Sequence, residues 1–136
     1  MASRPEARAA RDPNLWVEPV GSTIVARLRG APTAEMLREC EQRVVELARD
    51  TKHVRVLYDA LELVAPEVQL VLLHQQLAAE RGASLGAASL RTAILVADTR
   101  SAYLARIAFG QVGEDHCRVF YNDLGAAMKW LEAPEA

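Results

Sequence analysis

The sequence predicts an α/β sandwich built on a mixed, mostly parallel five-stranded sheet with four helices. Short runs of aliphatic and β-branched residues alternate with longer segments whose apolar residues recur at helical spacing. The resulting order is ββαβαβαβα, and strands that alternate with helices form right-handed crossovers in a parallel sheet. The two opening strands are separated only by Gly21 and Ser22, which indicates a hairpin. We therefore expect one antiparallel edge strand.

Length and composition favour one domain in a reducing compartment. The 136 residues can enclose a single hydrophobic core, which we place at 14–132, after a flexible leader over 1–13 and before a short tail over 133–136. The leader lacks the apolar segment of a signal peptide, and no apolar run approaches the roughly 20 residues that span a bilayer. The only cysteines, Cys40 and Cys117, are too few for a disulfide framework. We expect a cytoplasmic protein without a membrane span.

The charge pattern argues against nucleic acid as a partner. The formal net charge is −2, and no stripe of basic residues is interleaved with aromatic ones. Because binding to nucleic acid depends on neutralising phosphates with such a stripe, we predict no nucleic-acid partner.

The first half of the domain reads as a hairpin, a helix and a strand. In the second strand, Ile24, Ala26 and Leu28 alternate with their neighbours, as on a half-buried sheet. Thr33 is placed to cap the first helix. The predicted elements here are strands over Trp16–Val20 and Thr23–Leu28, a helix after Thr33 and a strand over Val54–Tyr58. The helix is expected to bury Leu37, Cys40, Val44 and Leu47, and to expose Arg38, Glu39, Glu41, Gln42 and Glu46.

The second half continues the alternation of helix and strand. Pro66 suits the first helical turn, where its missing N–H would have no partner in any case, and Gly82 can terminate that helix. Ala93–Ala97 is the most apolar strand and is expected to be buried. Asp123 is placed to cap the last helix, which ends at Leu131. The predicted elements are helices over 66–81, over 101–111 and after Asp123, with strands over 93–97 and 118–121.

The element order and three segments resemble the STAS domain, in particular its SpoIIAA-like branch, whose fold is shared with the lipid-binding Sec14 domains. The three segments are Val54–Asp59, Arg91–Asp98 and Ala127–Leu131. The resemblance spans about residues 15–131 and rests on the element order and on the terminal Ala-x-x-Trp-Leu. It implies a STAS-like sandwich and a non-enzymatic protein-interaction module, whose partner is an anti-sigma-like protein or a second copy of the chain.

The same resemblance implies where the partner binds and which switch is missing. In phospho-regulated antagonists of this kind, a Ser or Thr two residues after the strand-ending Asp accepts phosphate. Aligned on Asp59, that position is Leu61, and Ala60 has no hydroxyl either. The implied partner-binding edge therefore consists of Asp59, Ala60, Leu61 and Glu62, without the phosphorylation switch.

The second predicted helix carries apolar residues on two faces. At about 100° per residue, Leu70, Leu73 and Leu77 lie nearly opposite the face that holds the other apolar residues. That other face contains Val68, Val71, Leu72 and Ala79. A helix that covers a sheet needs only one apolar stripe, so the three leucines are predicted to bind a partner unless the leader or the following loop covers them. An apolar ligand is the alternative, which would make the protein a carrier or sensor of a small lipid-like molecule, as in Sec14-type domains.

Three groups of residues resemble parts of known catalytic or metal sites, and each has a simpler structural explanation. Gly82–Gly86 matches G-x-S-x-G, with Asp98 and His116 in the hydrolase order, but a nucleophile elbow needs a strand before the Ser, where we predict a helix. Asp59 and Asp98 end central strands, yet the acidic pair and the Lys of a response-regulator receiver are missing. The histidines lack the spacing of a zinc site. We therefore predict no catalytic residue, no metal and no cofactor.

Overall fold

The computed structural model describes residues 12–85, 90–109 and 116–133. Within these ranges the elements follow the predicted order ββαβαβαβα, which confirms the predicted fold class. The strands are β1 (Leu15–Val20), β2 (Thr23–Gly30), β3 (Arg55–Leu63), β4 (Arg91–Val96) and β5 (Cys117–Tyr121). The helices are α1 (Ala34–Thr51), α2 (Val68–Leu85), α3 (Thr99–Ala108) and α4 (Leu124–Glu132). Most of the predicted leader and tail lies outside these ranges, so the domain limits stay a prediction.

The five strands form one sheet in the order β1-β2-β3-β4-β5. β1 pairs antiparallel with β2, whereas the other neighbouring strands are parallel. The hairpin pairs Val20 with Thr23 around a two-residue turn, in which Gly21 has a φ of 60°. Glycine adopts this left-handed conformation without steric cost because it has no Cβ. The predicted hairpin and antiparallel edge strand are confirmed.

Strand β3 is longer than predicted, and Asp59 is not its end. β3 continues to Leu63 because β2 also continues, and Gly30 of β2 pairs with Leu63. The register shifts between Arg27 and Arg29, so β3 carries one extra residue there, as in a β-bulge. The carboxylate of Asp59 is accommodated inside the strand because Arg27 lies opposite it.

Helix α2 begins and ends later in the sequence than predicted. Its first turn closes on the backbone carbonyl of Glu67, so the helix begins at Val68 and not at Pro66. It continues past Gly82 to Leu85. A glycine inside a helix costs only about 1 kcal/mol relative to alanine, so Gly82 does not by itself terminate α2.

Both helix caps predicted from the sequence are present. Thr33 Oγ1 accepts a hydrogen bond from the backbone N–H of Met36 at 3.1 Å, at the start of α1. Asp123 Oδ1 accepts one from the backbone N–H of Ala126 at 2.9 Å, at the start of α4. Each cap satisfies an N–H that has no partner within its own helix.

Asp98 has the same role at the start of α3. Its Oδ1 accepts a hydrogen bond from the backbone N–H of Ser101 at 2.8 Å, so α3 begins two residues earlier than predicted. Hydrogen bonds from Ser101 lower the pKa of the Asp98 carboxyl, which keeps it ionised at the positive end of the helix. α3 ends at Ala108 and not near Gln111, which lies outside the described residues.

Helices cover both faces of the sheet, but unequally. On one face, α1, α2 and α3 enclose a large core cluster with the inward side chains of β1 to β4. On the other face, α4 alone covers a small cluster. The small cluster consists of Val25, Leu57, Ala93, Leu95, Ala127 and Leu131. The three-helix face therefore has the greater depth, and it is the face on which a buried site can form.

Replacement of Thr33 by alanine removes the hydroxyl that satisfies the Met36 N–H, and we expect the free energy of unfolding to fall by about 1 kcal/mol. Thr33→Ser keeps a hydroxyl on the same carbon and is the matched control, with little change expected. Urea denaturation followed by circular dichroism measures both variants. Equal stability of Thr33→Ala and the unmodified protein would contradict a stabilising cap.

Candidate functional site

The partner-binding residues predicted on β3 lie on two faces of the sheet. Leu61 is half-buried and packs against the small cluster, and alternation along the strand places Asp59 on the same side. Ala60 faces the three-helix side, where it lines a cavity, and Glu62 is exposed. β3 therefore does not present Asp59, Ala60, Leu61 and Glu62 as one continuous surface.

Asp59 is held by local polar contacts. Its Oδ2 accepts a hydrogen bond from Arg27 Nε at 3.2 Å, and its Oδ1 accepts one from the backbone N–H of Leu61 at 3.2 Å. The guanidinium of Arg27 also lies 5.8 Å from the ring centroid of Trp16 on β1. Together these contacts connect the side chains of three neighbouring strands, which gives Asp59 a structural role.

The three leucines predicted to bind a partner are half-buried against the protein's own core. Leu70, Leu73 and Leu77 pack against the large cluster on the inner side of α2. Val68 and Leu72, on the opposite face, are 67% and 53% exposed. The outward apolar surface of α2 is therefore formed by Val68 and Leu72, and partner binding by the three leucines stays a prediction.

An apolar cavity of about 80 Å³ lies between the sheet and the helices α2 and α3. The backbone of α2 packs closely against α1 and α3, and its side chains cover the space above β3 and β4. Two predicted site residues, Ala60 and Leu70, line the cavity. Much of the remaining lining is small and apolar, which leaves the space unfilled. The alanines that line it are Ala60, Ala65, Ala105 and Ala108.

A buried polar network adjoins this cavity and centres on Glu41 of α1. Glu41 Oε2 accepts a hydrogen bond from the hydroxyl of Tyr58 at 2.6 Å and lies 3.2 Å from Nε2 of His74. Glu41 Oε1 accepts one from Nη1 of Arg81 at 3.1 Å. Arg81 also donates to the Tyr58 hydroxyl. These contacts join α1, β3 and α2 through four side chains, and the prediction that Glu41 is solvent-exposed is wrong.

The network keeps Glu41 ionised in the interior. Burial by itself raises the pKa of this carboxyl, but the hydrogen bond from His74 and the charge of Arg81 outweigh burial, so the pKa lies below its usual value. Burial raises the pKa of Tyr58 well above its usual value, so the phenol stays protonated. The buried charges of Glu41 and Arg81 compensate each other.

Aromatic rings connect the network to the cavity. His74 and Phe109 meet edge to face, with their ring centroids 4.6 Å apart, and the ring centroids of Tyr58 and Phe109 lie 5.2 Å apart. All three rings line the cavity. The guanidinium of Arg81 lies 5.7 Å from the ring centroid of Phe109. The cavity is thus apolar except where it meets the polar edge formed by Tyr58 and His74, and at Ser101.

Several residues considered for catalysis lie in settings that do not favour it. Ser84 lies inside helix α2, so it lacks the strand–turn–helix setting of a nucleophile elbow, and Gly86 lies outside the described residues. Burial raises the pKa of the Cys40 thiol and raises that of Cys117 to about 11, so neither favours the reactive thiolate. Asp98 caps a helix.

Neither a metal centre nor a membrane-spanning helix is found in the described ranges. Among these residues, no group of three or more His, Cys, Asp or Glu side chains is arranged to hold a metal ion. No helix within them is both long and apolar enough to cross a membrane.

Sequence reasoning missed the polar network, although one signal for it was available. Glu41 follows Leu37 by four residues and precedes Val44 by three, so all three lie within about 100° of the helix circumference. The carboxylate therefore falls inside the apolar stripe of α1, and Leu37 and Val44 are indeed buried. The partners of Glu41 could not be named in this way, because they lie 17, 33 and 40 residues away along the chain.

Because Glu41 is ionised in the folded protein, the free energy of unfolding depends on pH in the acid range. Its pKa is lower in the folded than in the unfolded protein, where it is near 4.5. Its contribution to the free energy of unfolding is therefore complete above about pH 4.5 and is lost as the pH falls through the lower folded value. In Glu41→Gln, which cannot ionise, we expect a shallower loss of stability in this acid range.

The same variant leaves the buried charge of Arg81 without its counter-charge, so at neutral pH we expect it to be less stable by about 3 to 5 kcal/mol. Urea denaturation at several pH values measures both effects. Glu46→Gln, at an exposed position of the same helix, is the control and should keep the pH dependence of the unmodified protein. If Glu41→Gln shows that same pH dependence, Glu41 is not the acid-sensitive group.

Comparisons with known proteins concern the fold. The chain matches no model of a known protein family, and no curated protein matches it. Among solved structures, it is similar to the anti-sigma factor antagonist SpoIIAA in its unphosphorylated form, with a TM-score of 0.58 and 15% identity over 88% of this chain and 99% of that chain. It is equally similar to an anti-sigma factor antagonist from Mycobacterium paratuberculosis, with a TM-score of 0.58 and 14% identity over 90% of this chain and 99% of that chain.

A third solved structure carries no assigned function. This protein of the DUF3478 family, from Shewanella loihica PV-4, is described as having a SpoIIAA-like fold; the TM-score is 0.54, with 19% identity over 86% of this chain and 91% of that chain. Identities this low show a common fold and no more. The chain therefore has the SpoIIAA-like fold that its resemblance to the STAS domain implies.

Proposed function

We propose that this protein is a non-enzymatic, cytoplasmic interaction module of the regulatory kind, whose partner is an anti-sigma-like protein. The proposal is supported by its fold, which it shares with two anti-sigma factor antagonists, and by an exposed apolar row beside the end of β3. Its two free cysteines suit a reducing compartment. The observation that carries the proposal is the apolar row.

The exposed apolar row consists of Val64, Val68 and Leu72, which are 57%, 67% and 53% exposed. Val68 and Leu72 are four residues apart on α2, so they lie on the same face of the helix. Val64 immediately follows β3, close to Glu62. Covering Val68 and Leu72 with a partner would contribute on the order of 3 kcal/mol to the free energy of association. This is enough to matter in an interface, and the exposure of two side chains is compatible with a folded free protein.

Regulation of this module does not use the phosphorylation switch of SpoIIAA-type antagonists. Leucine at position 61 cannot accept a phosphate. Its backbone N–H donates to Asp59, and its side chain packs against the small cluster. We therefore propose that binding of the partner is independent of phosphorylation at this position.

The apolar row is tested by Leu72→Asp, which places a charge in the proposed interface. Leu124→Asp is a matched control because Leu124 is 54% exposed and begins α4 on the opposite face of the sheet. We expect pull-down from the native host to recover one defined partner with the unmodified protein and with Leu124→Asp. With Leu72→Asp, recovery should fall at least about tenfold, since a buried unpaired charge costs more than 1.4 kcal/mol.

Light scattering during gel filtration gives the oligomeric state of the same three proteins. A dimer that Leu72→Asp converts to a monomer would identify the partner as a second copy of the chain. Equal partner recovery and the same oligomeric state for all three proteins would show that the apolar row does not bind the partner.

A second candidate function is binding of a small apolar ligand, and the cavity of about 80 Å³ favours it. Well-packed interiors contain few spaces larger than a water molecule, and an apolar cavity of this size can hold a small apolar molecule. The cavity lies beneath α2, and Leu70 and Val71 of that helix line it.

The ligand hypothesis is tested by native mass spectrometry of the protein purified from its host and by analysis of its organic extract. We expect a bound mass that denaturation releases. Ala105→Phe adds a ring to the lining of the cavity, so this variant should carry no bound mass while keeping its circular dichroism spectrum. Absence of a bound mass from the unmodified protein, with no apolar compound in the extract, would count against a carrier.

A further inference from the structure

The cavity has three polar residues in its lining, and they differ in the hydrogen bonds that they make. The hydroxyl of Tyr58 donates to Glu41 and accepts from Arg81. Ser101 lies in the first turn of α3, where its backbone N–H donates to Asp98. The third polar lining residue, His74, uses only Nε2, which faces Glu41. Within the described part of the chain, Nδ1 of His74 makes no hydrogen bond.

The contact with Glu41 decides what Nδ1 of His74 can do. Glu41 is ionised, because its pKa lies below its usual value, and a carboxylate can only accept hydrogen bonds. Nε2 of His74 therefore carries the proton. In the neutral ring, Nδ1 then has a free lone pair and acts as an acceptor. A ligand with a hydrogen-bond donor can therefore bind to this atom of the neutral ring.

Charge balance restricts the ligand further. The negative charge of Glu41 is compensated by Arg81 at 3.1 Å, and both side chains are only 5% exposed. Within the described residues that line the cavity, no Lys or Arg is present to compensate an anionic head group. Because an uncompensated charge in an apolar space is strongly unfavourable, the head group is expected to be neutral.

The volume of the cavity limits the size of the ligand. One water occupies roughly 10 to 15 Å³ of such space, so about 80 Å³ corresponds to about five to eight waters, or a molecule of about six to nine non-hydrogen atoms. The remaining lining is aliphatic or aromatic, which favours an apolar body.

We propose that the cavity binds a small neutral amphiphile, an apolar alcohol or phenol, whose hydroxyl donates a hydrogen bond to Nδ1 of His74. This inference rests on the second candidate function, binding of an apolar ligand, and adds the class of ligand and its orientation. The apolar body lies toward Leu70 and Leu104, and the hydroxyl lies at the edge of the Glu41 network.

Three probes of similar size separate the possibilities when they are titrated into the full-length protein and followed by NMR. Phenol and toluene have the same shape and differ in the hydroxyl, whereas benzoate carries a negative charge at neutral pH. We expect phenol and toluene to bind and benzoate to bind weakest. The ratio of phenol to toluene affinity should fall about five- to tenfold in His74→Leu, which lacks the acceptor.

Two further variants test the orientation. His74→Gln keeps an amide N–H for Glu41 and a carbonyl acceptor, so it should retain part of the preference for phenol, even if His74→Leu fails to fold. Ser101→Ala removes a polar side chain of the lining at a different position and should leave the preference unchanged. A preference that Ser101→Ala abolishes and His74→Leu retains would place the hydroxyl at the wrong end of the cavity and overturn the proposal.

The remaining outcomes separate this proposal from the function on which it rests. Toluene and phenol that bind with a ratio unaffected by either histidine variant would leave an apolar-ligand site but overturn the role of His74. Benzoate binding tighter than phenol would overturn a neutral head group. If none of the three probes binds the unmodified protein, the apolar-ligand function itself fails.

Discussion

The buried ion pair between Glu41 and Arg81 is the constraint on which the three-helix face depends. A carboxylate in the interior is tolerated only when its charge is compensated and its oxygens are hydrogen-bonded. Glu41 meets both conditions through Arg81, Tyr58 and His74. These partners come from β3 and α2, so the position of α2 over the sheet is set by polar contacts as well as by apolar packing. The cavity lies beside these contacts, where α2 and α3 cover a stretch of sheet lined by small side chains.

This arrangement explains why α2 carries apolar residues on two faces. Its inner side supplies the three leucines to the core and two polar residues, His74 and Arg81, to the network around Glu41. Its outer side exposes Val68 and Leu72. A helix that only covered a sheet would need one apolar stripe. The two candidate functions therefore use opposite sides of one helix: the outer side for a protein partner and the inner side for a small ligand.

The opposite face of the sheet explains the terminal Ala-x-x-Trp-Leu on which the resemblance to STAS domains partly rests. Ala127 and Leu131 are fully buried in the small cluster. The guanidinium of Arg91 lies 3.8 Å from the ring centroid of Trp130 and donates to its backbone carbonyl, while Arg55 donates to the carbonyl of Leu131. Basic side chains thus satisfy carbonyls at the end of α4, where the helix dipole favours positive charge.

The sequence by itself determined the order of elements, the hairpin and the caps at Thr33 and Asp123, because these depend on residues close together in the chain. The tertiary structure alone decided that β3 continues to Leu63, since that requires pairing with Gly30 of β2. It also decided the burial of Glu41. A charged residue is exposed or buried according to whether partners are available, and these partners are distant in sequence and come together only when the helices pack on the sheet. Local periodicity can describe the stripe on which Glu41 lies, but not the contacts that allow its charge to be there.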